Sequence, residues 1–420
     1  MIIQIQRFIY DLIIRLYGLG IRCYAPFNAK ASLWVRGRKN WQKLLSEKVG
    51  HGHDTCIWIH AASLGEFEQG RPIIEAIRTE FPKKKLVLTF FSPSGYEVRK
   101  EYNQVDVVSY LPLDTKSNAK KFLDILNPEI AIFIKYEFWF NYLNTLKDRE
   151  IRTILVSGRM HENQGFFKPW GGLFRAGLKS FERFFLQDKR GEELLLGIGV
   201  ENVTVCGDSR FDRVMKVRQE NEELKEIKEF VGDKKALVVG SSWQVEEEMV
   251  QRFIVDHLNM DIKIIIAPHE IHSDRIESFS NECRWPCAKL STWKGQEAKV
   301  LFIDSIGKLA TVYRYGSIAF VGGGFGSGIH SVLEPAVWGL PVLFGPNYKR
   351  FQEAKGLVAA DAAFPIQHQE EMEARLELLL ETDEIRAEAG QKAYEYCQGK
   401  AGATEVVMKY LRKELDKKRI

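Results

Sequence analysis

The chain has 420 residues, 45% of them hydrophobic and 28% charged, and its mean hydropathy is −0.23. This composition excludes a wholly disordered chain, a collagen-like repeat and a multi-span membrane protein. Nine Lys/Arg but only two Asp/Glu lie in the first 50 residues, so that segment carries +7 and the other 370 residues carry −3. The globular part is therefore not a general nucleic-acid binder.

Residues 1–21 predict an amphipathic helix at a membrane surface. Five polar or small residues fall on one helical stripe and leave a wide apolar face, namely Gln4, Arg7, Asp11, Arg15 and Gly18. No apolar run exceeds three residues, so the length of roughly 20 residues that a span needs is poorly met. A cleavable signal peptide also fits badly. We expect a helix lying in the interface with its basic residues near anionic headgroups, and the alternative is a helix buried against the protein.

From Cys56 onward the pattern predicts two α/β halves, because short β-rich runs alternate with amphipathic stretches. The predicted strands are Ile57–Ile59, Leu86–Phe90, Ile130–Ile134, Ile154–Val156, Phe184–Leu186, Val203–Val205, Ala236–Val239, Lys263–Ile266, Val300–Ile303, Ile318–Val321 and Val342–Phe344. A charged linker, 216–235, is expected to separate an N-terminal domain, 22–215, from a C-terminal domain, 236–420. We expect two Rossmann-like, doubly wound domains facing a cleft, with ligands at the carboxyl ends of strands.

The run from Trp58 to Glu66 carries the first chemical signal. It joins a predicted strand to a predicted helix, and small residues such as Ser63 and Gly65 allow a substrate to approach the backbone closely. A carboxylate at this turn can take a proton from an attacking hydroxyl, which makes Glu66 a candidate base. The alternative is that Glu66 only favours the positive end of the following helix.

Three further runs of the first half offer polar groups. The hydroxyl and N–H groups of 92–95 can hold a phosphate or sugar oxygen at a helix start, or form only a capped turn. Glu137 lies among aromatic residues, an arrangement that binds sugar hydroxyls and covers the apolar face of a sugar. The alternative there is an aromatic core with a capping acid. Arg210 can face an anionic substrate or leaving group, or form a surface pair with Asp212.

In the second half, a glycine-rich loop follows a predicted strand and leads into a helix start. The loop, 321–328, precedes Glu334, and together they predict a phosphate cradle with an acid placed to accept from ribose hydroxyls. Two other runs after strands, 267–270 and 305–309, accompany it. The loop matches neither the ATP-binding P-loop nor the dinucleotide fingerprint.

Cysteine and ligand spacing predict no metal. The six cysteines are widely spaced without a Cys-x-x-Cys, which excludes a disulfide scaffold and a zinc ribbon and fits a reducing cytosol. No cluster of His, Asp and Glu in the sequence has the spacing of metal ligands.

Together these motifs resemble the 3-deoxy-D-manno-octulosonic acid (Kdo) transferases of lipid A biosynthesis, over nearly the whole chain. The matching residues are the run Trp58 to Glu66, then Glu137, Trp139 and Asn141, then Gly207, Arg210, Phe211 and Asp212, and finally Gly322 to Pro335. The chain departs from the family pattern at three places. His269 stands where an Arg is usual, Ser331 where an Asn is usual, and Lys308 ends an Ile-Gly-Lys run where Met-Gly-Glu is usual.

The resemblance implies a GT-B glycosyltransferase that moves Kdo from CMP-Kdo to the lipid A precursor, lipid IVA. It implies an inverting reaction without metal or cofactor, with Glu66 as the general base, at the cytoplasmic face of the inner membrane. The implied partners are CMP-Kdo, the lipid acceptor and the membrane surface, and no nucleic acid. A departing nucleoside monophosphate leaves no diphosphate to neutralise, which agrees with the absence of metal-ligand spacing.

The resemblance also implies three groups of site residues. The catalytic group is Glu66, Glu137 and Arg210. The substrate-binding group is Ser63, Gly65, Ser92, Ser94 and Gly95. The CMP-binding group is Pro268, His269, Ile306, Gly307, Lys308, Gly323, Gly324, Ser331, Val332, Leu333 and Glu334.

Two other functions stay open at this point. A nucleotide-sugar epimerase would keep the GT-B fold but needs a soluble substrate, against which the apolar N-terminus argues. A membrane-associated protein that binds a nucleotide sugar without catalysis would tolerate Glu66→Gln, whereas a transferase would lose turnover.

Overall fold

The chain folds into two compact units. The computed structural model describes residues 2–50, 55–220 and 222–416. The first unit comprises 1–212 and 402–420, and the second comprises 213–401. The C-terminal segment thus returns to the first unit, whereas the sequence placed all of 236–420 in the second domain. The stretch predicted as a linker, 216–235, contains the end of one helix, Ser209–Glu220, and the whole of another, Lys225–Val231.

The first unit is built on a seven-stranded parallel sheet with the order β3-β2-β1-β4-β5-β6-β7. Its strands are β1 Cys56–Ala61, β2 Lys85–Phe90, β3 Val107–Tyr110, β4 Pro128–Ile134, β5 Arg152–Gly158, β6 Arg183–Leu186 and β7 Val203–Val205. The central strands β1 and β4 are buried along their whole length. Such continuous apolar runs are expected where helices cover both faces of a parallel sheet.

The helices connect these strands and cover both faces of the sheet. They are α1 Ile2–Tyr24, α2 Ala29–Arg36, α3 Trp41–Val49, α4 Leu64–Glu80, α5 Pro93–Arg99, α6 Lys116–Leu126, α7 Phe140–Asp148, α8 Gly172–Leu178, α9 Lys189–Leu196 and α10 Ser209–Glu220. The two apolar clusters of this unit lie on opposite faces of the sheet. Two consecutive residues of β1, Trp58 and Ile59, belong to different clusters, and consecutive strand residues point to opposite faces.

The second unit repeats the design with the strand order β10-β11-β9-β8-β12-β13-β14, again all parallel. Its strands are β8 Lys235–Ser242, β9 Ile262–Pro268, β10 Cys287–Lys289, β11 Val300–Phe302, β12 Ile318–Val321, β13 Val342–Phe344 and β14 Ala363–Pro365. Its helices are α11 Lys225–Val231, α12 Gln244–Asp256, α13 Ser273–Glu282, α14 Leu309–Val312, α15 Leu333–Val337, α16 Gln352–Ala359, α17 Gln369–Glu381 and α18 Asp383–Gln398.

The last helix, α19 Ala403–Asp416, packs in the first unit. Val407, Met408 and Leu411 join the apolar cluster that includes the inner face of α4. Arg412 forms an ion pair with Glu80 at the end of α4, with 2.7 Å between Nε and Oε2. This return of the chain closes one face of the first sheet.

The predicted α/β class with two doubly wound sheets is confirmed, and every predicted strand is present. Three strands were not predicted, namely β3, β10 and β14. All three are edge strands of three or four residues. An edge strand has one neighbour only and needs fewer apolar residues, so its sequence signal is weak.

The first helix, α1, contacts the first unit through the side that carries Tyr10, Asp11 and Gly18. Tyr10 donates a 2.6 Å hydrogen bond from its hydroxyl to Asp114, and Asn141 donates from Nδ2 to Asp11 at 2.8 Å. Gly18 lies so close to Leu113 that a Cβ there would be 2.6 Å from its Cδ2. The buried alternative therefore holds for this side of α1, whereas Gln4, Arg7 and Arg15 of the predicted polar stripe are exposed. The helix extends beyond the predicted end at residue 21.

The opposite side of α1 is apolar and exposed. Side chains along it are 47–71% exposed, namely Ile5, Phe8, Ile9, Leu12, Ile13, Leu16 and Leu19. Among the described helices, none combines the length and apolarity needed to cross a bilayer.

Candidate active site

The candidate site of the first unit lies at the point where the strand order reverses, between β1 and β4. Ligands of doubly wound sheets bind beyond the carboxyl ends of strands at such a switch point. The turn after β1 carries Glu66, and the turn after β4 carries Lys135 and Glu137. Lys135 has a φ of +71°, a backbone conformation that non-glycine residues rarely adopt and that often marks functional turns.

Glu66 is a buried carboxyl group in the first turn of α4. It is 6% exposed, and its Oε2 accepts a 3.1 Å hydrogen bond from the backbone N–H of Ser63. Burial and the negative charge of Glu137 together raise the pKa of Glu66 to about 7, against the opposing effect of Lys135. A carboxyl group with a pKa near neutrality is suited to general base catalysis.

A hydrogen-bonded network fixes Glu137 beside this carboxyl group. Trp139 donates its indole N–H to Glu137 at 2.6 Å and approaches His60 Nε2 at 3.1 Å. His60 is fully buried, and its Nδ1 lies 3.1 Å from the carbonyl oxygen of Thr89. The hydroxyl of Thr89 lies 2.9 Å from the same Nδ1, and Nε2 lies 3.5 Å from Glu137 Oε2. The negative charge of Glu137 acts on Glu66.

Asn141, the third member of the acid–x–Trp–x–Asn run, has a different task. Its side chain bonds to Asp11 of α1, and its backbone N–H donates to the carboxylate of Asp114 at 3.0 Å. Asp114 is fully buried, and burial raises its pKa to about 6. Asn141 therefore joins the turn after β4 to the N-terminal helix.

The predicted substrate-binding residues divide into open and packed positions. Gly65 is exposed, and a Cβ there would meet no heavy atom within 4 Å. Ser92 caps α5 by accepting from the N–H of Ser94 at 3.3 Å, and its own N–H donates to Ala62 of the first turn at 2.7 Å. The capped-turn alternative is thus present, and it brings the turns after β1 and β2 together. Gly95 instead is buried against Phe90 and has a packing role.

Arg210 is held by Asp208 rather than by Asp212. Its Nε and Nη2 donate to Asp208 Oδ2 at 3.0 and 2.8 Å. Asp212 instead accepts from the backbone N–H of Thr404 at 2.7 Å and so caps α19. The predicted alternative of an Arg210–Asp212 pair is therefore wrong in its partner.

In the second unit, the glycine-rich loop follows β12 and is tightly packed. A Cβ at Gly322 would lie 2.2 Å from the carbonyl oxygen of Ser241, and one at Gly324 would lie 2.4 Å from the N atom of Gly345. Gly323 has a φ of +87° and donates its N–H to Glu246 at 2.8 Å. This carboxylate occupies the N–H that the sequence assigned to a phosphate.

Three rings stack beside that loop. The ring centroids of Trp243 and His269 are 4.8 Å apart, and those of His269 and His330 are 4.2 Å apart. Trp243 donates to Nε2 of His330 at 3.1 Å. Burial and the neighbouring His269 lower the pKa of His330 to about 4, so this imidazole is neutral near pH 7. His269 directly follows Pro268, the last residue of β9.

The other predicted CMP-binding residues lie in three settings. Ile306 is 94% exposed, Gly307 has a φ of +92°, and Lys308 precedes α14. Val332 and Leu333 are 1% and 2% exposed. Their side chains are core groups, so only their backbone can reach a ligand. Ser331 is exposed, and Glu334 lies in the first turn of α15.

Sequence reasoning assigned no role to His60, Lys135 or Trp243. His60 and Lys135 act on Glu66 or Glu137 through contacts between neighbouring strands, and Trp243 contributes a ring to the stack. Within 2–50, 55–220 and 222–416, no three His, Cys, Asp or Glu side chains are grouped so that they could hold a metal ion.

Comparison of sequences places this chain among known enzymes. Residues 38–213 match the family model for 3-deoxy-D-manno-octulosonic-acid transferase (kdotransferase). The 3-deoxy-D-manno-octulosonic acid transferase of Aquifex aeolicus (strain VF5) is 28% identical over 349 residues, covering 81% of this chain and 91% of that protein. The protein of the same name from Rickettsia bellii (strain RML369-C) is 28% identical over 342 residues, covering 79% and 80%.

Comparison of structures shows the same fold in proteins of other families. A putative UDP-N-acetylglucosamine 2-epimerase from Listeria monocytogenes superposes with a TM-score of 0.59 at 13% identity, covering 87% of this chain and 97% of that one. MurG from Acinetobacter baumannii gives a TM-score of 0.53 at 12% identity, covering 86% and 99%. These likenesses show a GT-B type fold. The sequence matches give the family of the first half: residues 38–213 form a domain of the 3-deoxy-D-manno-octulosonic-acid transferase family, and most of the chain is similar to curated transferases of that name.

Proposed function

We propose that this enzyme transfers Kdo from CMP-Kdo to the lipid A precursor, with inversion and without a metal ion, and that Glu66 is the general base. One observation carries the assignment of the base. Glu66 is a buried carboxyl group with a pKa near 7 at the switch point of the first sheet. It lies inside the segment that matches the family model.

The proposed step moves one proton and exchanges one bond. The carboxylate of Glu66 takes the proton of the acceptor's primary hydroxyl while that oxygen attacks the anomeric carbon of Kdo. The bond from the anomeric carbon to the phosphate oxygen of CMP breaks, and CMP leaves with the bonding electrons. Attack opposite the leaving group inverts the configuration. Glu137 supports this step because its charge makes Glu66 a stronger base, and it is itself held by Trp139.

We assign the donor nucleotide to the second unit. The ring stack of Trp243, His269 and His330 offers flat surfaces at the carboxyl ends of β8, β9 and β12. A pyrimidine ring stacks favourably on such surfaces. His269 also stands at the position where the family pattern usually carries an arginine.

The exposed apolar side of α1 supports attachment to the inner membrane at its cytoplasmic face. A helix that packs one side on the protein and leaves an apolar side exposed can present those apolar side chains to the acyl region of a bilayer. The acceptor is itself embedded in that surface, so the same helix brings the site to its substrate.

Gly65→Ala is expected to separate binding from folding. The added methyl group enters open space in front of the site, so the free energy of unfolding should change by less than about 1 kcal/mol. The KM for the lipid acceptor should rise if the acceptor approaches this backbone. Gly95→Ala is the contrast, because its Cβ would lie 2.2 Å from Phe90 and should cost about 1–3 kcal/mol by overpacking. Thermal unfolding and steady-state kinetics of both variants measure the two effects, and an unchanged KM for Gly65→Ala would argue against the approach.

The proposed reaction is tested with the full-length enzyme in detergent micelles containing the lipid A precursor, CMP-Kdo and EDTA. A product heavier by one or more Kdo units, with release of CMP, supports the proposal. Binding of CMP-Kdo without any product would favour a non-catalytic binding protein. Conversion of UDP-N-acetylglucosamine to its 2-epimer, without Kdo transfer, would favour the epimerase.

A further inference from the structure

A polar cavity lies in the first unit. It is bounded by α1, by the segment that contains α2 and α3, and by the loop before α6. Its volume is about 330 Å³. Four cationic and two aromatic residues line it, namely Arg22, Arg36, Arg38, Lys39, Trp34 and Trp41. None of its lining residues is acidic. The cavity is thus strongly cationic, and neither the candidate base nor the glycine-rich loop belongs to it.

Among the described residues, no carboxylate forms an ion pair with Arg38. Its guanidinium donates to three backbone carbonyl oxygens, those of Leu111 at 2.9 Å, Phe91 at 2.7 Å and Trp34 at 3.1 Å. It also lies 3.9 Å from the ring centroid of Trp34. Burial lowers the pKa of Arg38 to about 9. A desolvated cation with neutral partners only is stabilised strongly by an anion placed beside it.

Trp34 supplies an independent sign of a missing acceptor. Its side chain is 6% exposed, and its indole N–H has no hydrogen-bond partner among the described residues. Buried indole N–H groups usually find an acceptor. Because Trp34 lines the cavity, an oxygen of a bound ligand would satisfy this donor. The unpaired N–H and the guanidinium belong to neighbouring side chains. The oxygens of one anionic group can therefore accept hydrogen bonds from both.

We propose that this cavity binds the phosphate of an anionic phospholipid headgroup. Phosphate oxygens match the guanidinium groups and the indole N–H, and the four cations match a group carrying negative charge. The lipid source follows from α1, which contributes Gly18 and Arg22 to the cavity and presents Leu16, Leu19 and Tyr24 to the outside. Acyl chains can therefore lie along the exposed apolar side of α1 while the phosphate is inside. This site is separate from Kdo transfer and does not depend on it.

Binding can be followed at Trp34 itself. Full-length protein labelled with ¹⁵N-tryptophan is titrated with dihexanoyl phosphatidylglycerol below its micelle concentration, and Trp34→Phe identifies the indole resonance. A saturable downfield shift of that resonance is expected, since the N–H gains an acceptor. Dihexanoyl phosphatidylcholine, which has no net charge, and inorganic phosphate serve as the headgroup and free-anion controls, and both should bind more weakly.

Two charge-matched double variants test the cavity. Arg22→Ala with Arg36→Ala removes two lining cations, both exposed and therefore not needed for folding, and should weaken binding by about ten- to thirty-fold. Lys30→Ala with Lys43→Ala removes the same charge from α2 and α3 outside the cavity and should change it less than about two-fold.

Four results would overturn the assignment. An unmoved Trp34 resonance, or equal losses in the two double variants, would exclude a specific phosphate site. If inorganic phosphate bound as tightly as the lipid, the cavity would be a site for free anions. If the lipid A precursor displaced phosphatidylglycerol at a lower concentration than that of phosphatidylglycerol itself, the cavity would be part of the acceptor site. Since the readout is binding, none of these outcomes depends on whether the enzyme transfers Kdo.

Discussion

Glu66→Gln is expected to lower kcat for Kdo transfer by about 10²–10⁴-fold, the usual contribution of a positioned general base. The amide keeps the size of the side chain but cannot take the proton of the attacking hydroxyl. Binding of CMP to the second unit should be unchanged, because Glu66 belongs to the first unit. Single-turnover transfer and calorimetric titration with CMP on the same preparation measure the two quantities.

Glu68→Gln is the matched control on the same helix. Glu68 pairs with Arg99 at 2.7 Å, and such a half-exposed ion pair is worth about 1 kcal/mol or less. Its variant should transfer Kdo at nearly the wild-type rate. If Glu66→Gln retained more than a tenth of wild-type kcat, or if the two variants lost activity alike, Glu66 would not be the base.

Replacing Phe8, Leu12 and Leu16 together by serine should release the protein from membranes. These side chains are 71%, 47% and 57% exposed, so they contribute little to the folded state. Their burial in a bilayer is worth roughly 3–5 kcal/mol in total, which corresponds to partitioning weaker by about a hundred-fold to several thousand-fold. Flotation of the full-length protein with phosphatidylglycerol-containing vesicles measures this change.

The control removes three exposed apolar side chains elsewhere. Leu196, Val255 and Leu258 are 49–52% exposed and lie outside α1, and their triple serine variant should float like the wild type. Loss of flotation in this variant to the same degree would mean that α1 has no special role. Wild-type protein that fails to float would contradict membrane attachment altogether.

Much of the fold can be predicted from the sequence because central parallel strands are continuous apolar runs. The runs at β1 and β4 have this form, with turn residues after them. The edge strand β14 ends in Pro365 and offers three residues only, so no local pattern distinguishes it from a loop. The return of α19 to the first unit depends on Val407 and Met408 meeting α4, and such a long-range contact has no sequence signal.

The candidate site likewise combines local features, which the sequence predicts, with long-range contacts, which it does not. Glu66 is predictable because its turn, its small neighbours and its place after a strand are local features. The role of His60 depends on the register that sets it opposite Thr89 and on Trp139 from the segment between β4 and α7. The stacking of Trp243 on His269 likewise joins the ends of two strands. Contacts of this kind follow from the strand order and not from the spacing of motifs.

The pH dependence of kcat/KM for Kdo transfer tests the role of Glu66 most directly. Because the base must be ionised and its pKa is raised to about 7, kcat/KM should fall about tenfold per pH unit below that value and level off above it. Glu137→Gln removes a negative neighbour and should move the limb to lower pH, and Lys135→Met removes a positive one and should move it higher. A flat profile between about pH 5.5 and 8, or shifts of the same sign in both variants, would contradict the account.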